Sequence, residues 1–372
     1  MIKKRKLRVV VLFGGRSTEH EVSLISALSI FKAIDQSKYD VIPVKISKEG
    51  QWRLFPHPDQ LDSIETLQSN EGSLLLAGDP LMKGFLQVVQ GERGSESTLF
   101  SVDVDVVFPV LHGTFGEDGS VQGLLGMADL PYVGGGVLAS SIGMDKIVMK
   151  QIFFQNNLPA PDYMWFLRKD WEKSADVIRK GIEKEIGFPC FVKPANTGSS
   201  VGISKVHDLS ELATHIDLAS EYDRKILVEK AIDARELECS VLGNDDPEAS
   251  VVGEIIPAHE FYDYEAKYIS DQSQTLVPAE IPEEISKRIQ RLAVAAFKAV
   301  DCAGMARIDF FMERETGHLF VNEINTIPGF TPISMYPKLW EASGISYSRL
   351  IDRLIELALE RHHDLHRSKF RR

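Results

Sequence analysis

Two short segments, Arg307-Ile308-Asp309 and Asn322-Glu323-Ile324-Asn325, hold the densest chemistry in the chain. Both sit in apolar runs, Arg307–Met312 and Leu319–Asn325, that read as a pair of strands. Residues two apart in a strand share a face, so Glu323 and Asn325 point the same way and Asp309 on a neighbouring strand can join them. Ile308, Phe310 and Ile324 then turn to the core. Mg²⁺ takes hard oxygen ligands, usually one or two carboxylates plus nucleotide phosphates, so Asp, Glu and Asn on one face suit it. A plain edge strand with solvated polar groups is the alternative. It offers no reason for Arg307 to stand inside an apolar strand.

A second group follows Lys193, which ends the apolar run Cys190–Lys193. The small-residue segment Asn196-Thr197-Gly198-Ser199-Ser200-Val201-Gly202 leads into another strand-like run, Ile203–Val206. Such a hairpin loop can bring backbone N–H groups against phosphate oxygens while a lysine supplies charge. Gly198 to Gly202 also satisfies G-x-S-x-G, the nucleophile elbow of serine hydrolases. That motif needs a helix directly after the serine, and here a strand is expected. Gly134-Gly135-Gly136-Val137-Leu138-Ala139 imitates a dinucleotide fingerprint but follows only a very short strand, so it reads as a tight turn into a helix. No Gly-Lys dipeptide occurs anywhere, which removes the Walker A loop. Any ATP site must use another architecture.

A third group lies where strands give way to turns. Gly14 to Glu21 places Glu19 at the carboxyl edge of the first strand, the usual ligand crevice of a doubly wound sheet. Ser17 or Thr18 as N-cap with Glu21 completing a capping box is a compatible local reading. Leu111 to Gly119 places His112 and Glu117 in a glycine-rich turn after another strand, a position that favours substrate contact. His362, His363 and His366 in the polar, basic tail are most simply solvated histidines at a frayed helix end.

The elements that must position these groups alternate from the start. Leu7–Phe13 is a buried-strand run, Glu21–Ile34 has helical spacing, and Val41–Ile46 and Val102–Val110 are strand-like, which gives a doubly wound α/β unit. Residues 60–101 show little pattern. Further on come helices over Asp145–Gln155, Asp176–Glu185 and Pro282–Val300, with strands near Glu236–Leu242 and Ser250–Ile256. The chain has 372 residues, room for two or three domains, and boundaries near 134 and 232 divide it into 1–133, 134–231 and 232–372. A net charge of −12 argues against a general nucleic-acid binder. Cys190, Cys239 and Cys302 are widely spaced and expected to be free thiols, two of them in apolar surroundings. The basic start Met1–Leu7 precedes only five apolar residues, too few for a signal-peptide core, and no run approaches a membrane span, so a cytoplasmic protein is expected.

Taken together, these segments resemble the D-alanine–D-alanine ligases of the ATP-grasp superfamily. The likeness covers nearly the whole chain in order: Gly14-Gly15 through Leu24, Leu111-His112-Gly113 to Gly119, Met144-Asp145-Lys146, Phe191-Val192-Lys193-Pro194 and the loop behind it. It continues with Val228-Glu229-Lys230, Arg235-Glu236, Phe261 to Tyr268, and Arg307 to Gly329. The resemblance implies an α/β fold of three domains, an N-terminal doubly wound (Rossmann-like) domain and two α+β domains gripping ATP. It implies ligation of two D-alanines through D-alanyl phosphate for peptidoglycan precursors, two Mg²⁺ ions replaceable by Mn²⁺, and a homodimer.

It also implies roles. Glu19 would hold the first ammonium, linked through Ser199 to Tyr268. Lys146, Lys193 and Lys267, with Ser200, would meet the phosphates. Glu229 and the Ala231 backbone would face adenine, and Glu236 the ribose. Asp309, Glu323 and Asn325 would bind the metal ions. Arg307 and the Gly329 N–H would stabilise the oxyanion, His112 would contact substrate, and Ser334 with Met335 would receive the second carboxylate. Tyr268, retained here, favours an amine over a hydroxy acid as second substrate.

Overall fold

In the computed structural model, which describes residues 5–55, 71–89, 98–256 and 274–369, the apolar run at the start forms β1 (Leu7–Gly14). Val9 to Phe13 are fully buried, as an inner parallel strand requires. Its parallel neighbours are β2 (Tyr39–Ile46) and β7 (Val106–Val110). Alternation sends Val9, Val11 and Phe13 into one core with residues of α1 (His20–Ala33), and Val10 and Leu12 into another with residues of α2 (Ser120–Met127). Both faces are therefore covered, and the doubly wound expectation holds for this parallel portion.

Beyond β2 the sheet continues antiparallel through β3 (Trp52–Leu54), β4 (Glu71–Leu76), β5 (Gly84–Val89) and β6 (Thr98–Asp103). Here one expectation is corrected: Val102–Val110 is not one strand. It breaks into β6 and β7, which occupy opposite ends of the seven-strand order. The break falls at Asp105, whose carboxylate accepts the Arg8 N–H at 2.7 Å and ties the connector to the start of β1.

The second sheet, ordered β10-β9-β11-β8, comprises β8 (Tyr163–Leu167), β9 (Cys190–Pro194), β10 (Ser204–Val206) and β11 (Lys225–Lys230). α5 (Arg168–Glu185) and α6 (Leu212–Tyr222) cover it through Ile178, Ile182, Leu212 and Ile216. α5 starts eight residues before the expected Asp176 and bends at Ser174, where φ is −144°. The third sheet, ordered β14-β13-β12-β15-β16, comprises β12 (Ala234–Gly243), β13 (Glu248–Ile256), β14 (Gln274–Leu276), β15 (Gly304–Glu313) and β16 (Leu319–Asn325). α7 (Glu283–Ala299) lies on it.

Packing crosses the sequence order in two places. α3 (Val137–Met144) and α4 (Lys146–Gln155) precede the second sheet, yet Ala139, Met149 and Phe153 are buried in the core of the third. After α8 (Met335–Ala342), α9 (Tyr347–Leu365) returns to the first layer, where Leu350, Ile351, Leu354 and Ile355 share a core with Val9 and Phe108. α9 runs unbroken to Leu365, so the helix does not fray at Arg361. Cys190, Cys239 and Cys302 are buried free thiols.

Candidate active site

The three sheets meet around a cavity of about 1030 Å³. Sixteen of the site residues singled out in the sequence lie among the described residues, and all sixteen line this cavity. Lys267 and Tyr268 fall outside the described residues.

The wall from the first layer is made of turns. Glu19 immediately precedes α1 and is buried, and its backbone carbonyl accepts the Ser23 N–H. The capping box does not form. Ser17 Oγ donates instead to the His112 carbonyl at 2.7 Å, and Glu21 pairs with Lys48 at 2.9 Å. The Glu19 carboxylate sits where two backbones come very close. A Cβ on Gly113 or on Gly198 would lie 2.4 Å from its Oε2, well inside contact distance, so a side chain at either position would displace the carboxylate, and Gly113 in addition has a φ of +70° that favours glycine. Gly113 comes from the turn after β7, and Gly198 from the loop between β9 and β10. In that loop Ser199 and Ser200 both have positive φ, 46° and 61°, a conformation unusual for serine. The result is a hydrogen bond from Ser199 Oγ to Glu19 Oε1.

Glu117, an unassigned member of the same turn, completes this wall. Its carboxylate accepts N–H bonds from Gly113 at 2.7 Å and from Ile327 at 3.2 Å. Burial, and then the neighbouring charge of Glu19, push its carboxyl well above the ordinary carboxylate range. His112 bonds the Ile327 carbonyl through Nδ1 at 3.1 Å and faces Ser26 Oγ through Nε2 at 3.4 Å. Burial pulls its pKa down to about 4, so the ring is neutral near pH 7, with Nδ1 donating.

The second sheet supplies cations. Glu229 on β11 is buried and gripped from both sides, by Lys193 of β9 at 2.6 Å and by Lys150 of α4 at 2.5 Å. The two lysines hold the Glu229 carboxyl below its usual range despite its burial, whereas burial lowers the Lys150 ammonium. The sequence reading missed Lys150. Its signal is a lysine inside the apolar helical run Ile147 to Phe154. Lys146 Nζ donates to the Thr197 carbonyl at 2.6 Å and so ties α4 to the same hairpin loop. The strand β10 follows that loop, and the next helix starts only at Leu212, so Ser200 is not on a nucleophile elbow.

The third sheet supplies the carboxylates. Antiparallel register sets Asp309 opposite Glu323 and Arg307 opposite Asn325, all on the cavity face, while Ile308, Phe310 and Ile324 are buried. A register shift after Asp309 leaves Asn322 as the extra residue. Arg307 forks onto Asp309 with two bonds of 2.7 Å and reaches Glu238 of β12 at 3.1 Å. Asn325 Nδ2 donates to Asp309 at 3.1 Å. Glu238, like Lys150, went unassigned in the sequence; in β12 it is the register partner of Asp309. The donor set passes the test for a divalent ion. Asp309, Glu323 and Asn325 offer only hard oxygens for coordination, and the carboxylates Glu238, Asp309 and Glu323 outnumber the one guanidinium among them.

A lysine-bearing sheet facing a carboxylate-bearing sheet across one cavity, with a small-residue hairpin loop between them and no Walker loop, is the arrangement of an ATP-grasp ligase. Comparison with known proteins agrees. Residues 8–135 match the family model for the N-terminus of the D-ala D-ala ligases, and residues 152–356 match that for their C-terminus. The D-alanine–D-alanine ligase of Acetivibrio thermocellus is 51% identical over 367 residues, covering 96% of this chain and 97% of its own. Among solved structures, the D-alanine-D-alanine ligase from Coxiella burnetii superposes with a TM-score of 0.82 at 36% identity, over 97% of this chain and 98% of its own. The VanG D-Ala:D-Ser ligase from Enterococcus faecalis gives 0.85 at 37% identity, over 95% of this chain and all of its own. The chain belongs to the D-alanine–D-alanine ligase family, whose members use ATP and a divalent metal.

Proposed function

We propose that this chain joins two D-alanines, with ATP cleaved to ADP and phosphate, and supplies the dipeptide for peptidoglycan precursors in the cytoplasm. The observation that carries this reading is the hydrogen bond between Ser199 and Glu19, 180 residues apart. It seats an amino-acid pocket directly against the loop that faces the nucleotide. Glu19, with the raised Glu117 carboxyl beside it, forms a corner in which an arriving ammonium would favour ionisation of both carboxyls. The first carboxylate then attacks the γ-phosphorus, the bond to ADP breaks, and D-alanyl phosphate forms. The second ammonium gives one proton to solvent, the free amine attacks the acyl carbon, the carbon–oxygen bond to phosphate breaks, and the proton lost as the amide forms leaves with the phosphate.

In this reading Lys146, Lys193 and Ser200 face the phosphates, joined by Lys267. Glu229 and the Ala231 backbone face adenine, and Glu236 the ribose. Asp309, Glu323 and Asn325 hold Mg²⁺, or Mn²⁺ in its place. A bound metal neutralises charge on the transferring phosphoryl oxygens. Arg307 and the Gly329 N–H face the developing oxyanion, and Ser334 with Met335 receives the second carboxylate. Ser334 Oγ is already oriented, accepting the Thr331 N–H at 3.0 Å. His112 ties the end of β7 to the segment at Ile327 on the substrate side. Tyr268 closes the first site and favours an amine as second substrate. A division into 1–133, 134–231 and 232–372 accords with three sheets, and we place the chain as a homodimer. Among the described residues no helix is long and apolar enough to cross a membrane.

The test is product analysis with ATP, Mg²⁺ and a panel of D- and L-amino acids including D-serine. D-alanyl-D-alanine with stoichiometric phosphate is expected. No phosphate release with D-alanine, or a preference for D-serine as the second residue, would overturn the assignment. Tyr268→Phe should raise depsipeptide formation when D-lactate is offered, and an unchanged product ratio would remove that residue's specificity role.

A further inference from the structure

Away from the cavity, α9 presents His362 and His366 four residues apart, hence on one helical face, to the turn that follows α2. Both imidazoles meet the same atom there. His366 Nε2 lies 2.8 Å from Asp129 Oδ1, His362 Nε2 lies 3.0 Å from it, and the two nitrogens are 3.3 Å apart. The Asp129 carbonyl oxygen lies 3.2 Å from His362 Nε2 and adds a fourth donor. We propose that Asp129, His362 and His366 bind a first-row divalent ion of the Zn²⁺ type, which fastens the end of the C-terminal helix to the N-terminal layer.

The shape of the triangle is the main argument. Zn²⁺ in a tetrahedral site binds nitrogen and oxygen at about 2.0–2.2 Å, which sets its ligands roughly 3.3 Å from one another. The observed edges of 2.8, 3.0 and 3.3 Å need little widening to take an ion at their centre. Two imidazoles and a carboxylate also select the metal: such nitrogen-rich sites suit Zn²⁺, Ni²⁺ or Co²⁺, whereas Mg²⁺ takes oxygen and keeps its waters. The site therefore differs in kind from the all-oxygen set at Asp309, Glu323 and Asn325.

Both ligand-bearing backbones are held without any ion. Leu354, Ile355 and Ala358 anchor α9 in the first core, and Ala128 and Leu130 bury the residues on either side of Asp129. Asp129 itself has φ +55°, a left-handed turn conformation that aspartate tolerates. Little ordering is left for binding to cost. The adjacent cation does not oppose an ion here. Arg361 is turned to the carbonyls of Gly134 and Tyr132, with its guanidinium 4.5 Å over the Tyr132 ring. Asp129, His362 and His366 are all partly open to solvent, which leaves a path for entry.

The full-length chain, stripped with a chelator and held in excess Mg²⁺, would be titrated with Zn²⁺ by calorimetry. Expected is one equivalent bound, a raised thermal midpoint, and visible d–d bands when Co²⁺ replaces Zn²⁺. In the His362→Gln/His366→Gln variant, binding should weaken by at least about tenfold, the lower end of what even an outer-shell loss costs. The midpoint shift should vanish while Mg²⁺-supported ligase activity stays at wild-type level. Asp129→Asn should weaken binding without abolishing it. No Zn²⁺ bound by the wild type, or equal binding by the double variant, would overturn the proposal.

Discussion

The cavity has two kinds of wall. The first layer contributes turns, in which glycine backbones press on a buried carboxylate and a second carboxylate stands beside it. The second and third sheets contribute strand faces, where each buried charge is met by one of opposite sign: Glu229 by two lysines, Asp309 and Glu238 by Arg307. The first arrangement sets two carboxyls close, so that one holds its proton until a cation arrives. The second pairs opposite charges, with lysines on the second sheet and a surplus of carboxylate on the third, an arrangement that suits an anion carried with a divalent cation. On the proposed function, an amino acid's ammonium goes to the first wall and a nucleotide's phosphates to the second.

Breaking the strand wall at its centre should have the largest effect. Arg307→Met removes the guanidinium that meets both Asp309 and Glu238, and it is the proposed oxyanion contact. We expect kcat to fall by about 10³-fold, the cost of losing a transition-state donor, and stability to fall by about 1–3 kcal/mol as Asp309 and Glu238 lose a charged hydrogen-bond partner. Steady-state rates and urea denaturation measure both. A variant with near-normal kcat would remove Arg307 from the chemistry.

Lys150→Met asks whether a strand-wall charge can matter without touching substrate. Lys150 is fully buried and is not part of the cavity lining, yet it holds Glu229. Loss of one of two partners should cost up to about 3 kcal/mol of stability and raise KM for ATP while kcat changes less. A large loss in kcat with KM for ATP unchanged would place Lys150 nearer the reaction than its burial allows.

The turn wall is probed by geometry rather than charge. Gly198→Ala should push the Glu19 carboxylate aside and lower kcat/KM by about 10²-fold, as a displacement near 1 Å does. Gly198 has no positive φ, so its stability should hardly change, whereas Gly113→Ala also strains a φ of +70° and should lose both. If Gly198→Ala binds and turns over D-alanine normally, Glu19 is not positioned by these backbones.

The two walls also differ in how far they could be read from the amino-acid order. Strand faces obey a period of two, so alternation alone groups Glu323 with Asn325, Asp309 joins them once its strand is taken as the neighbour, and β16 runs from Leu319 to Asn325 as that alternation requires. Partners brought in by register or by tertiary packing leave no such trace. Glu238 meets Asp309 only because β12 pairs with β15, and Lys150 meets Glu229 only because α4 packs beside β11. Turn geometry is equally silent: nothing in Leu111 to Gly119 says that Gly113 and Gly198 will close on the same Glu19 carboxylate. The α3–α4 pair is the largest case. Its sequence neighbours belong to the second sheet, but its apolar residues complete the core of the third.

Glu117→Gln gives the smallest effect and the sharpest test of the like-charge corner. Burial raises the Glu117 carboxyl from 4.5 to about 8, so the folded chain holds a proton that the unfolded chain has released. Its contribution to stability is complete below pH 4.5 and is lost as pH rises through about 8. His112 works the other way: a pKa lowered from 6.5 to about 4 gives stability that is present above 6.5 and lost as pH falls. The two overlap below 6.5, which leaves pH 6.5 to 8 as the window in which Glu117 is seen alone. There the wild type should lose stability with rising pH by at most about 1.4 kcal/mol per unit for one proton. Glu117→Gln should be flatter over the same range, and binding of D-alanine, whose ammonium would favour the ionised corner, should shift the wild-type decline to lower pH. Parallel curves for the two proteins would mean that Glu117 stays ionised in the fold, and that the anionic corner exists without any ligand to draw it out.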